Sequence, residues 1–224
     1  MSDFFTKPNF LLELGISFCL VVSCLKQFGT GSSFILEQVA VFLYSCLNSS
    51  LFGDLGIEAL DKALELKKDD AQIHKWYAVL VGSRSEYVSL QERIDDGHKF
   101  KKHVDAAIAL SPDDASLHYM LGRFDFEVAG LKWYERKVAA ALFSEPPNAT
   151  YTDALQHFIQ AEKLANFEWK ENKLMIAKCK IATGDYKEAM DWLTQASNCK
   201  QGDGLDDKID SEVKVLMEKY NSYR

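Results

Sequence analysis

The sequence predicts an all-α protein built from stacked helical repeats, and three observations support this fold class. The segment DKALELKKDDAQIH, which begins at Asp61, returns in a similar form, DAAIALSPDDASLH, at Asp105. Only four prolines and twelve glycines interrupt the 224 residues. From Gly53 onward Ala, Leu, Lys, Glu and Asp dominate, and this composition favours long helices.

Each of the two copies predicts a helix end, a tight turn and a helix start. Apolar residues follow helical spacing up to Leu66 and Leu110, where the pattern breaks. Pro112 cannot readily continue a helix, and Asp70 and Asp114 are favourable N-cap residues for the next one. We therefore expect the helices to change at residues 67–70 and 111–114, and again at residues 183–185.

The segment TGDYKEAMDWLTQA near the C-terminus has the residue spacing typical of tetratricopeptide repeats, in which each repeat is one pair of antiparallel helices. The residues at that spacing are Gly184, Tyr186, Ala189, Leu193 and Ala196. The alanines that close successive repeats are Ala63, Ala107, Ala161 and Ala196. Only the last interval is close to the usual period of about 34 residues. The predicted fold is therefore a tetratricopeptide-like helical-repeat solenoid with insertions.

The two insertions fall in residues 83–102 and 129–150. In the second, Leu131, Tyr134 and Val138 are spaced to form one face of an extra helical turn or two. The pair Pro146-Pro147 then ends that helix, and Thr150 or Thr152 can cap the next. Small residues, Ala78 and Gly122, stand at the same place in the first helix of two repeats and would let a partner helix approach closely.

The overall charge and the cysteines limit the class of protein. A net charge of −7 and a pI near 5.3 argue against a general nucleic-acid-binding protein, which would carry excess Lys and Arg. The five cysteines are odd in number and include no Cys-x-x-Cys pair. They predict reduced, mostly buried thiols in a cytoplasmic protein rather than a disulfide framework. The cysteines are Cys19, Cys24, Cys46, Cys179 and Cys199.

No catalytic motif stands out in the sequence, so we expect a protein that is not an enzyme and has neither cofactor nor metal site. His98 and His103 are five residues apart and would lie on different sides of a helix, which argues against a zinc site. We interpret His74 and His118 as partly buried rings that pack and keep one hydrogen bond. Asp96 is interpreted, with its neighbour Asp95, as a helix-start or turn acid.

The segment from His74 to Leu155 resembles the regulator of microtubule dynamics family. The resemblance rests on HKWYAVL, on SEYVSLQERIDDGHKFKKHVDAAIALSPDDASLHYMLGRFDFEVAGLKWYERKVAAALFSEPPNATYTDAL and on both insertions, and it weakens toward Gly53 and the C-terminus. It implies a tetratricopeptide-like, non-enzymatic protein that associates with microtubules and the mitotic spindle, and so with chromosome segregation. It also implies that some members carry an N-terminal membrane anchor and sit on organelles.

The N-terminal residues 1–52 differ from the remainder, residues 53–224, which form the predicted repeat domain. Two apolar runs, Phe10 to Leu25 and Phe34 to Leu47, flank a short Gly and Ser segment. The first run is shorter than the roughly 20 apolar residues of a spanning helix, and it contains Glu13. We prefer a helical hairpin that caps the first repeat, and a membrane segment stays as the alternative.

Two surfaces are candidates for binding a partner. The first helices of stacked repeats line a concave groove, and their exposed positions predict a contact surface of three cations beside apolar groups. The groove residues proposed for binding are Lys75, Tyr119, Arg123 and Lys178. A second, basic surface belongs to the two insertions, since binding segments often reside in such loops. Its residues are Arg93, Lys99, Lys101, Lys102 and His103, joined by Lys132, Arg136 and Lys137.

These surfaces predict an interaction module for an acidic partner, either the acidic tails of tubulin in microtubules or an acidic peptide of a spindle protein. Cations would orient the partner and speed its association, and adjacent apolar groups would hold it. The negative net charge opposes this contact, so we expect it to be weak and salt-sensitive. The alternative is a lipid-binding or organelle membrane-contact module, in which the helices enclose an apolar groove.

Overall fold

The computed structural model describes residues 50–85, 87–142, 147–199 and 206–223. Within these residues it is helical and contains no β-strand, which confirms the predicted all-α class. The helices are α1 (Ser50–Leu66), α2 (Ala71–Arg84), α3 (Leu90–Leu110), α4 (Ala115–Ala129), α5 (Trp133–Leu142), α6 (Tyr151–Leu164), α7 (Lys170–Ala182), α8 (Tyr186–Asn198) and α9 (Asp206–Lys219), with a short 3-10 helix at Asn221–Tyr223.

The helices change where the repeated turns predict. Asp70 caps α2 by accepting hydrogen bonds from the backbone N–H groups of Gln72 and Ile73, and Asp114 caps α4 through the N–H of Ser116. Asp185 caps α8 in the same way. Each cap satisfies an amide that would otherwise have no partner at the helix start. The three predicted helix changes are confirmed.

The insertions take two different forms. The first mainly lengthens α3, which runs for 21 residues from a Ser89 cap whose hydroxyl and Glu92 form a capping box. The second forms the separate helix α5. Thr150, with Asp153, makes the capping box of α6, as one of the two predicted alternatives. Tyr134 lies on α5 and is exposed.

The described chain divides into two compact units, and helices adjacent in sequence pack against each other within each unit, as expected for a helical solenoid. Unit 1 contains α1, α2, α3 and α5; in it α2 packs against both α1 and α3. Unit 2 contains α4 and α6 to α9. The predicted boundary after residue 52 stays a prediction, because residues 1–49 lie outside the described part of the chain.

The core of unit 1 contains a buried ion pair between α2 and α3. Arg84 donates from Nε to Oδ2 of Asp96 at 2.6 Å and from Nη2 to Oδ1 at 2.8 Å. Asp96 is only 2% exposed. The interpretation of Asp96 as a helix-start or turn acid is therefore wrong: it lies inside α3 and ties two helices together through a bidentate charge-assisted contact.

In unit 2, α6 packs against α4, although α5 of unit 1 lies between them in the sequence. Gly122 makes this close approach possible, because a Cβ there would lie 2.9 Å from two ring atoms of the fully buried Phe158. Ala161 closes the same helix pair and is also fully buried. The predicted role of the small residue at position 122 is confirmed. A second apolar cluster joins α7, α8 and α9 around Leu193 and Val213.

Candidate functional site

Two groove residues of unit 2, Arg123 and Lys178, lie on α4 and α7. Arg123 Nη1 lies 3.4 Å from Glu171 Oε1 and 3.8 Å from the sulfur of Met175. One helical turn or so further along, Lys178 Nζ lies 5.7 Å from the ring centroid of Phe126, within the range of a cation–π contact. The first helices of two successive repeats therefore do form one continuous face.

Tyr119 and Arg123 are nevertheless inside the protein, and their predicted exposure is wrong. Tyr119 is 2% exposed and Arg123 is 5% exposed. The ring of Tyr119 lies 4.4 Å from that of Trp169, centroid to centroid, and 5.7 Å from that of Phe158. Arg123 lies against Glu171 and Met175 of α7, so side chains of α7 contribute to its burial.

Burial and neighbouring charges shift the pKa values of both side chains. Burial, followed by the charge of Glu171, raises the pKa of Tyr119 well above its usual value. Burial by itself lowers the pKa of Arg123. The interactions with Tyr119 and Glu171 raise it by more, so the pKa of Arg123 lies above its ordinary value. The guanidinium is thus a structural charge that is neutralised within unit 2, and no acidic partner reaches it from solvent without breaking that pair.

Lys178 is the more accessible cation of this face, with 29% of its side chain exposed. Its Nζ lies 2.8 Å from Oε1 of Glu212 on α9, so its charge also has an internal partner. Lys75 lies half-buried on α2 in unit 1 and is described only within that unit. The predicted groove is therefore much less electropositive than its sequence suggests.

The first insertion places its lysines along α3. Lys99 has 46% of its side chain exposed, and its Nζ lies 3.6 Å from Oδ1 of Asp96. Lys101 pairs with Asp105 one turn later, at 2.9 Å. Lys102 is exposed. Because residues three apart share a helix face, Lys99 and Lys102 present two cations to solvent side by side.

The second insertion combines cations with exposed aromatic rings at the start of α5. Trp133 is 70% exposed and Tyr134 is 40% exposed. Lys137 Nζ lies 5.1 Å from the centroid of the Trp133 ring, and Lys132 Nζ lies 5.7 Å from that of Tyr134. Arg136 Nη1 donates to the carbonyl of Pro147 at 3.1 Å, which fixes the end of the insertion.

Sequence reasoning identified the cations of α5 but missed Trp133. The signal was present, since a Trp-Tyr pair stands between two basic positions in a segment that the repeat pattern does not require. A large exposed aromatic side chain beside cations is typical of residues that anchor a protein partner. Trp133 therefore joins Lys132, Arg136 and Lys137 as a candidate contact residue.

The repeated histidines serve the packing role predicted for them. Nε2 of His74 lies 3.0 Å from the carbonyl oxygen of Lys68, and Nε2 of His118 lies 2.8 Å from that of Pro112. Each ring therefore ties the start of its helix to the preceding turn. His103 is buried and stacks on the ring of Tyr77, with centroids 3.8 Å apart, so its predicted place on the basic surface is wrong.

The described residues bring together no group of three or more His, Cys, Asp or Glu side chains that could hold a metal ion. In the same part of the chain, none of the helices is both long and apolar enough to cross a bilayer. Cys179 and Cys199 are free and buried, as predicted, and burial raises the pKa of the Cys179 thiol to about 12. The other three cysteines lie outside the described residues.

Comparison with known proteins confirms the resemblance seen in the sequence. The family model of regulator of microtubule dynamics proteins 1 to 3 matches residues 50–221. Regulator of microtubule dynamics protein 3 of Xenopus laevis is 42% identical over 66% of this chain and 32% of its own length. Protein 3 of Bos taurus is 39% identical over 72% of this chain and 35% of its own length.

Protein 1 of the family shows the same similarity. The Bos taurus sequence is 32% identical over 72% of this chain and 51% of its own length. The chain thus spans between about a third and a half of the curated relatives it matches. The matched residues 50–221 contain both insertions and the described helices. The chain therefore belongs to the regulator of microtubule dynamics family.

Proposed function

We propose that this chain is a non-enzymatic, microtubule-associated interaction protein that acts in microtubule and spindle dynamics from the cytoplasm and the cytoskeleton. The observation that carries the proposal is the family match across residues 50–221, because the relatives it identifies are named regulators of microtubule dynamics. A helical-repeat scaffold suits such a role, since stacked helices present extended surfaces for binding other proteins.

The partner in this proposal is acidic, either the tails of tubulin or an acidic peptide of a spindle protein. Exposed cations can attract such a chain and orient it, and this attraction decreases as salt shortens the screening length. The chain's own net charge of −7 opposes the approach, so the contact is weak and local to basic surfaces. Binding therefore depends on where cations remain accessible.

The accessible cations favour the insertions over the groove as the main charged contact. Arg123 is buried beside Glu171, and Lys178 already pairs with Glu212. A partner carboxylate would have to displace Glu212 to use Lys178. The groove then has a supporting role, through Lys178 above the Phe126 ring. Lys99 and Lys102 on α3 and Lys137 on α5 are exposed to solvent.

The alternative function, a lipid-binding or membrane-contact module, finds less support in unit 2. A cavity of about 580 Å³ there is lined by four charged side chains and four uncharged ones, which are Lys170, Asp210, Lys214 and Glu218, and Ser197, Cys199, Val213 and Met217. An acyl chain needs an apolar lining, because leaving charged groups dehydrated beside it is costly. The membrane attachment of that alternative would fall on residues 1–49, outside the described chain.

Co-sedimentation of the purified chain with taxane-stabilised microtubules, at salt concentrations between about 50 and 300 mM, tests the proposal. We expect the chain to pellet at low salt and to be released as the salt concentration rises. A chain that stays in the supernatant at the lowest salt contradicts a direct microtubule role. A chain that pellets equally at all salt concentrations contradicts the charge mechanism. The Lys178→Glu variant tests the groove and should reduce pelleting by less than about threefold.

A further inference from the structure

The start of α5 exposes more apolar aromatic surface than a side chain in a packed helix normally does. Trp133 is 70% exposed and Tyr134 is 40% exposed, and the two rings contact each other edge to face at 6.0 Å. A fully buried tryptophan can remove on the order of 200 Å² from water. A partner that covered Trp133 would therefore gain a substantial apolar contact from one side chain.

The charge around these rings differs in sign from that of the whole chain. Lys132, Arg136 and Lys137 fall within one short segment that contains a single acid, Glu135, while the net charge of the chain is −7. Lys132 and Lys137 hold their ammonium groups over the two aromatic rings. A carboxylate that pairs with either cation is thereby brought next to an aromatic ring.

We propose that this aromatic-cation patch, made of Lys132, Trp133, Tyr134, Arg136 and Lys137, is the docking site for an extended acidic peptide. Trp133 supplies the apolar anchor, and Lys132 and Lys137 pair with carboxylates on either side of it. Arg136 is bonded to the Pro147 carbonyl and keeps the segment in place. This inference rests on the proposed function, because it specifies where an acidic partner of that kind is held.

A thin peptide fits this patch better than an anionic membrane does. An interfacial helix needs a broad apolar face, whereas Ala140 and Ala141, further along α5, are exposed and small. The charge gives a second reason. A membrane plane brings the whole negative chain within reach of an anionic surface, but a peptide contacts only the region within a Debye length of about 8–10 Å.

The test uses the full chain and a fluorescently labelled oligo-glutamate peptide, with affinity measured by anisotropy. We expect Trp133→Ala to weaken binding about tenfold and Trp133→Phe to retain most of it. Lys132→Glu with Lys137→Glu should weaken binding at least as much and remove most of its salt dependence. The matched control is Lys187→Glu with Lys208→Glu, which makes the same charge change at exposed positions of α8 and α9 outside both candidate surfaces and should alter binding by less than about threefold.

Several outcomes would overturn the inference. Unchanged peptide binding by Trp133→Ala would show that the tryptophan is not the anchor. An equal loss in the Lys187→Glu, Lys208→Glu control would show that the effect is one of general charge. If the α5 variants lose binding to vesicles that contain phosphatidylserine but still bind the peptide, the patch is a membrane site instead. Because the substituted side chains are exposed or nearly so, circular dichroism should show unchanged helix content in every variant.

Microtubule pelleting of the same variants separates this inference from the proposed function. If the wild-type chain and the α5 variants pellet equally well, the docking patch is overturned and the microtubule role stands. Wild-type chain that does not pellet but binds the peptide through Trp133 overturns the microtubule role and supports the patch. Loss of both activities in the α5 variants alone supports both proposals.

Discussion

Nδ1 of His74 lies 2.8 Å from Nδ1 of His103, so the two imidazoles share one hydrogen bond between α2 and α3. Only one of the two nitrogens can donate, and the other must accept with its lone pair. At least one ring is therefore neutral while the contact exists. The equivalent rings in unit 2, His118 and His157, stack with centroids 6.3 Å apart. The histidine pair thus recurs in both units.

This pair predicts that the protein loses stability in mild acid. Burial, followed by the charges of His74 and Lys102, lowers the pKa of His103 from 6.5 to about 4, while Asp61 opposes the shift. Between these pH values the unfolded chain binds a proton that the folded ring does not, so unfolding becomes easier as pH falls. The stabilisation is complete above the unfolded pKa and is mostly lost by about pH 4, a change on the order of 3 kcal/mol.

Urea unfolding at steps between about pH 7 and about pH 4 measures this effect. The His103→Phe variant is the control, because phenylalanine keeps a ring against Tyr77 and cannot take a proton. Carboxylates titrate in both proteins. The difference between the two proteins in the slope of unfolding free energy against pH therefore reports on His103. We expect a shallower slope in the variant, and identical slopes would show that the ring does not titrate as the contact requires.

Gly122 predicts a steric effect on stability. Gly122→Ala gains helix propensity of up to about 1 kcal/mol, but its Cβ would lie 2.9 Å from ring atoms of the buried Phe158. Because that ring has no room to move, overpacking should dominate, with a net loss of about 1–2 kcal/mol in the free energy of unfolding. At Gly130→Ala the nearest atoms lie 3.4 Å away, so chemical denaturation should show no comparable loss.

Most of the fold could be predicted from the sequence because its signals are local. Turn residues and N-cap aspartates act within a few positions of one another, so Asp70, Asp114 and Asp185 give the helix starts directly. The small residue at position 122 likewise indicates that a partner helix packs closely there. The repeat pattern could not show the form of each insertion. The first mainly lengthens α3, and the second forms the separate helix α5.

The candidate site was harder to predict because exposure depends on residues far away in the sequence. Concave positions of a regular repeat are open, and Arg123 occupies one, but Trp169 and Glu171 close over this cluster. The role of Asp96 was missed for a similar reason. In the sequence it stands beside Asp95 and resembles a turn acid, and its contact with Arg84 is visible only in the structure. In both cases the missing information was the side chain that pairs across two helices.

Asp96 and Asp95 form a matched pair for testing that ion pair. Asp96→Asn leaves the Arg84 guanidinium, whose side chain is 12% exposed, without its carboxylate. Removing one partner of a buried ion pair is strongly destabilising, so we expect a loss of about 3 kcal/mol. Asp95 is exposed, and Asp95→Asn should change stability by less than about 0.5 kcal/mol. Thermal unfolding of both variants makes the comparison, and equal effects would contradict the structural role of Asp96.

The two groove cations should respond very differently to charge reversal. Arg123→Glu would place two carboxylates together in a buried cluster, because Glu171 Oε1 already lies 3.4 Å from the guanidinium. We expect it to destabilise the fold by about 3–5 kcal/mol, as for other broken buried pairs. Lys178→Glu also meets an acid, Glu212, but both side chains reach solvent, so its cost should stay near 1 kcal/mol or below.

Unfolding measured by urea for each variant, and for Arg123→Glu combined with Glu171→Arg, makes this comparison. The double variant restores opposite charges in the same place and should recover part of the lost stability. No recovery would mean that the geometry of the pair matters more than its charge. A stable Arg123→Glu protein would mean that the guanidinium is accessible after all. In that case the groove between α4 and α7 would again compete with α5 as the site that holds an acidic partner.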